Sequence, residues 1–146
     1  MTDLVLAILH HIAVFGLVAA LAMEAAMLRT PGVDPARLVR IDAGFGMAAL
    51  LVLAVGVSRV IWGGKGWAFY EANPFFWAKI GLFAAIGLIS VLPTLAFFRW
   101  RGAARGDRGF TPPAGELGRA RRWVALEALL LVPLLASAAA MARWPF

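Results

Sequence analysis

An apolar run from Leu4 to Leu28 is interrupted by His10, His11 and Glu24. Polar side chains in hydrocarbon are costly enough that they normally face a bundle interior or a ligand, which makes them the first places to look for chemistry. On a helix, His10, Ala13, Leu17, Ala20, Glu24 and Met27 recur at three- and four-residue intervals and share one stripe. His11 lies about 100° away beside Val14, Val18, Leu21 and Ala25, a face with no polar company. His10 is therefore the imidazole expected to act. Four further residues suit the same chemistry: Arg59, Lys65, Tyr70 and Lys79. A neutral imidazole ligates haem iron or a transition metal, and guanidinium and ammonium groups hold porphyrin carboxylates or another anion. Cations beside a metal ligand favour an anionic ligand over a bare metal ion, so the expected occupant is a tetrapyrrole. A second set comprises Glu24, Arg40, Asp42 and Glu127. It suits either an ion pair between Glu24 and Arg40 or a proton path toward the first set.

Structural roles stand beside each of these functional ones. An intramembrane histidine also serves as an interhelical hydrogen-bonding residue. Arg59 and Lys65, near a helix end, also suit snorkelling toward phosphate groups, and Lys79 can do the same from within its span. Tyr70 suits an interface anchor. A desolvated Glu127 can stay neutral, bonded to a neighbouring helix, or pair with Arg122 or Arg40. Met23, Met27, Met47 and Met141 with the two histidines leave a copper-handling reading open, in which Met141 alone approaches the depth of His10.

Bringing these residues together is the task of the helices. A span needs about 20 mostly apolar residues at about 1.5 Å each. Four segments qualify, at about 4–28, 36–62, 75–100 and 117–143. Asp34 and Pro35 read as the N-cap and first position of the second, and Gly63-Gly64-Lys65-Gly66 as its end. Along it Asp42, Phe45, Ala49, Val52, Gly56 and Arg59 share a stripe whose small residues permit close helix approach. Lys65 to Asn73 is a short aromatic connector, and Pro74 opens the third span, whose interior holds Lys79, Ser90 and Thr94 with a kink expected at Pro93. Arg101 to Gly115 reads as the one long polar loop. The fourth span then presents Glu127, Leu130, Leu134, Ser137 and Met141 on one face.

Composition agrees. The chain has 146 residues, 62% hydrophobic and 15% charged, with a mean hydropathy of +0.83, against about 45–50% apolar and about 25% charged in soluble domains. The expected class is all-α: a single transmembrane domain over residues 1–146, folded as a four-helix bundle in contact with the lipid bilayer. Cysteine is absent, which excludes disulfides, thiolate metal sites, iron–sulfur clusters and cysteine nucleophiles. The net charge of +6 comes mostly from arginines flanking the spans, and no nucleic-acid binding is read from it. Arg29, Arg37, Arg40, Arg99, Arg101, Arg105, Arg108, Arg119, Arg121 and Arg122 flank the first and third connectors, against Arg59, Lys65, Lys79 and Arg143 at the other end. The excess places the first and third connectors in the cytoplasm and both termini outside, an N-out/C-out topology in a bacterial inner membrane. Trp62, Trp67, Trp77 and Trp144 would then mark the outer interface and Trp100 and Trp123 the inner one. Met-Thr-Asp lacks the basic region of a secretory signal, so the first helix is expected to be retained.

Ile8-Leu9-His10-His11-Ile12-Ala13-Val14 and Trp77-Ala78-Lys79-Ile80 resemble segments of the HemJ-type protoporphyrinogen oxidases and of the CopD-like four-helix membrane proteins. In length, and in the run Arg59, Lys65-Gly66, Tyr70 and Lys79, the chain is similar to a family of bacterial membrane proteins without an assigned function. The resemblance covers about the first 100 residues. It implies a haem b on His10 with Lys79 near the porphyrin, or a porphyrinogen oxidase with Lys79 and Arg59 as its catalytic side chains and a quinone or other redox partner as acceptor. The CopD likeness implies copper handling. Adjacent His10 and His11 cannot reach opposite faces of one haem, and four short helices leave limited internal room, so that a homodimer could complete the site. The non-catalytic alternative is an accessory or assembly subunit of a membrane complex.

Overall fold

The structure, a computed structural model, describes residues 2–143. Its elements are α1 (Thr2–Arg29), α2 (Pro35–Trp62), the short α3 (Trp67–Glu71), α4 (Pro74–Gly106) and α5 (Ala114–Ala142). All but α3 are long and apolar enough to cross a membrane. Short connections make sequence neighbours antiparallel, and α1 packs on α2 and α4 on α5. The ring closes through α1 against α5 and α2 against α4, while the diagonal pairs stay apart. The expected helical membrane bundle is what the chain forms.

The stripes read from spacing face inward. Ala13, Leu17, Ala20 and Glu24 of α1 are buried, as are Asp42 and Phe45 of α2. The core is completed by Leu21, Leu28, Leu38, Ile86, Phe97, Trp100, Val124 and Leu131. By contrast Phe15 is 72% exposed on the bundle surface and Leu88 74%, the arrangement expected where lipid rather than water surrounds the apolar flanks. Capping sets the entries. The Asp34 carboxylate accepts from the amides of Ala36 at 2.9 Å and Arg37 at 3.2 Å, satisfying two of the amides that a helix start leaves open. Asn73 caps α4 in the same manner, accepting from the Phe75 amide at 3.0 Å. Its amide nitrogen also donates to the Met141 carbonyl at 3.3 Å, tying the start of α4 to the end of α5. Gly32 and Gly66, with φ of 69° and 72°, make the turns that a side chain would strain.

Several expectations are corrected. The aromatic connector holds a helical turn of its own, α3, with the Tyr70 ring buried between Phe69 and Phe76. The third span does not end near Trp100. The helix continues to Gly106 because Arg101, Ala103, Ala104 and Arg105 are good helix formers, which shortens the polar loop to residues 107–113. Pro93 lies within α4, whose helix runs on through it, which is compatible with a bend there. Trp100 is no interface marker: it is 2% exposed, and its indole donates to Glu116 of α5 at 2.8 Å. Its length of 33 residues explains the burial, because the extension of α4 places this indole against the first turn of α5 instead of at a helix end. Trp62, Trp67 and Trp77 do lie on the surface, and Trp144 lies outside the described residues.

Candidate ligand site

Two groups of polar residues sit inside the bundle, at opposite ends. His10 is half-buried on α1 and rests against Gly56 of α2: a Cβ at that glycine would lie 3.7 Å from the imidazole Cε1. A methyl there would make ordinary contact with the ring, and only a larger side chain would displace it. Its Nδ1 is buried and has no hydrogen-bond partner among the described residues, an unspent polar atom in a place where such atoms are costly. Arg59 of α2 and Lys79 of α4, both half-buried, are close enough to His10 to act on its charge, and Arg59 acts on Lys79 likewise. Helices α1 and α4 are diagonal in the ring, so His10 and Lys79 approach each other across the bundle with Arg59 on the helix between them. The Lys79 ammonium lies 5.6 Å from the centre of the Phe76 ring, within cation–π range. Two cationic side chains from α2 and α4 beside an imidazole from α1 make a setting suited to an anion.

The remaining expected members of this set lie elsewhere. Lys65 is exposed, with its ammonium 4.1 Å from the centre of the Phe69 ring, and does not join the charges around His10. Tyr70 is buried under α4, stacked at an angle on Phe76, where its ring packs the base of the connector. His11 separates from His10 as the helical angle requires: it is exposed and its Nδ1 donates to the Ala7 carbonyl of its own helix at 2.6 Å. Gly56 and Asn73 contribute to this end without having been singled out as site residues. Gly56 was visible only as one small residue in a stripe, and Asn73 only as the residue before a proline.

At the Arg-rich end, Glu24, Asp42 and Glu127 are gathered from α1, α2 and α5 and are 1%, 7% and 1% exposed. Thr94 of α4 donates its hydroxyl to Asp42 at 2.8 Å. Arg40 does not belong to this group. It is exposed on α2, and no ion pair joins it to Glu24, because Arg40 falls on the outer face of α2 while Asp42, two residues on, falls on the inner one. Among the described residues no group of His, Cys, Asp or Glu could hold a metal ion. Two shallow surface cavities, of about 200 and 170 Å³, lie at this end, the first lined by Arg29, Thr30, Thr111, Leu117 and Arg121 and the second by Arg99, Glu116, Arg119 and Trp123. Neither reaches His10, Arg59 or Lys79.

No match was found among curated proteins or among solved structures, and the HemJ-type and CopD-like resemblance gains no support from either comparison. A family model does match, over residues 2–144, described as "Predicted membrane protein (DUF2214)". With its helices and its inward polar groups in place, the chain belongs to this family of small multi-pass membrane proteins.

Proposed function

We propose that the chain binds an amphipathic anion at the end of the bundle away from the arginine-rich connectors, with His10, Arg59 and Lys79 as its contacts. The observation carrying this reading is the convergence of those three basic side chains from α1, α2 and α4 on one half-buried level. Haem b is the first member of the class to test, because it alone uses both the imidazole and the cations. His10 would ligate iron through a ring nitrogen, and Arg59 and Lys79 would hold the carboxylates by charge-assisted hydrogen bonds. Bound haem would supply one-electron transfer with a quinone or similar carrier.

Protein purified in mild detergent and titrated with haemin is expected to develop a Soret band. The band should be lost in His10→Ala and retained in His11→Ala, whose imidazole is spent on its own helix. Lys79→Gln should weaken haemin binding by about tenfold, the value of one charge-assisted hydrogen bond. No band with added haemin, or a band indifferent to His10→Ala, would overturn the haem assignment. Failure to bind any carboxylate-bearing amphiphile would overturn the site. A colourless protein that instead co-purifies in a larger complex would favour the accessory-subunit reading.

A further inference from the structure

The carboxyl group at the other end of the bundle has no part in the anion site and carries a separate inference. Glu24 lies close enough to Asp42 and Glu127 to sense their charge, and Glu127 likewise senses Asp42. Each helix packed around them can be accounted for: α1 presents Glu24, α2 Asp42, α5 Glu127, and α4 the neutral Thr94. Among the described residues no cation is seen to compensate them. Arg40 is exposed, and Arg121 of α5 donates its Nε to the Leu28 carbonyl at 2.7 Å. Independently of the clustering, one oxygen of Glu24 and one of Glu127, Oε1 in each, are buried without a hydrogen-bond partner among the described residues, although both side chains are 1% exposed. Burying an uncompensated carboxylate is costly, so three together need compensating positive charge. The three are not arranged to hold a metal ion.

We propose that Glu24, Asp42 and Glu127 form an intramembrane proton-binding site that exchanges protons with the arginine-rich side of the membrane. Each exchange takes one proton from water and converts one carboxylate to a carboxyl, and the reverse step returns it. A carboxyl also gives the orphaned oxygens what they lack, since its O–H donates to a neighbouring carboxyl oxygen. Direction follows from what separates the triad from each surface. Toward the arginine-rich end the next buried residues along the helices are Leu28, Leu38, Ala120 and Val124, and Arg29, Leu117 and Arg121 line a surface cavity at that end. Along α1, Arg29 is about 7.5 Å from Glu24, whereas His10 is about 21 Å away in the other direction. Leu17, Phe45, Ile86 and Leu131 fill that longer path.

The test uses the full chain in proteoliposomes, treated with dicyclohexylcarbodiimide, which adds to protonated carboxyls shielded from water. Mass spectrometry should find the adduct on Glu24 or Glu127, its yield falling by up to about tenfold per pH unit as the buffer is made alkaline. Glu24→Gln and Glu127→Gln, which mimic the carboxyl, should fold and each lose its own adduct. Infrared spectra should show a carboxyl carbonyl band that shifts in heavy water and diminishes in both variants. Absence of adduct on all three residues together with absence of that band would overturn the proposal. So would suppression of labelling by sodium at constant pH, which would make the group a sodium site. Haemin binding reads the opposite end of the bundle, so the two proposals fail separately.

Discussion

At the scale of single residues, the position of His10 depends on a small residue opposite it. Gly56 leaves the space that the imidazole occupies. Gly56→Ala would place its methyl in ordinary contact and should leave stability within about 1 kcal/mol of the parent, with the helical preference of alanine favouring the variant. Gly56→Leu has no such room. It should push the ring out of the bundle and abolish whatever His10 binds, while the protein remains folded and assembled. Thermal melting in detergent and haemin titration of the same pair of variants check both halves. The stripe containing His10 was legible in the sequence because its spacing is helical. The depth at which Arg59 and Lys79 meet it was legible to within a turn. The failure of Lys65 to join them was not, because a connector's path has no period to read.

Between helices, the caps and one latch set how the elements meet. Asp34→Ala removes the acceptor of two amides at the start of α2 and should cost about 1 kcal/mol in a reversible unfolding measurement. The latch is Glu116, which accepts from Arg99 and from the Trp100 indole, each at 2.8 Å. The two contacts are unequal. Arg99 is 64% exposed along its side chain, so Arg99→Ala should cost at most about 1 kcal/mol. Glu116→Ala leaves a buried indole N–H without its acceptor and should lower the melting temperature more than Arg99→Ala does. Equal losses in the two variants would contradict this division. The sequence placed Trp100 at the membrane interface because tryptophans gather there. Composition cannot distinguish that location from the core of a helix that runs past the membrane.

Over the molecule as a whole, most of the arginines and the carboxyl triad lie toward one end of the bundle, and His10, Arg59 and Lys79 toward the other. The natural absence of cysteine makes orientation directly measurable. Arg108→Cys, in the loop after α4, should react with a membrane-impermeant thiol reagent only from the cytoplasmic side. Gly64→Cys, after α2, should react only from the opposite side. The reverse pattern would invert the bundle and, with it, the side from which the triad takes its protons.

Taken alone, the chain's residues determined the membrane class, the number of spans and the inward faces of the first, second and fourth, because a bilayer imposes a minimum apolar length and a helix imposes a period. They also determined that His10 rather than His11 shares a face with Glu24. Only the tertiary structure decided which helices are neighbours and which are diagonal. It also decided that Arg40 turns away from Glu24, leaving three carboxyls together without a cation. Those outcomes depend on how four faces are brought into register around a common axis, and local spacing within each helix does not contain that information.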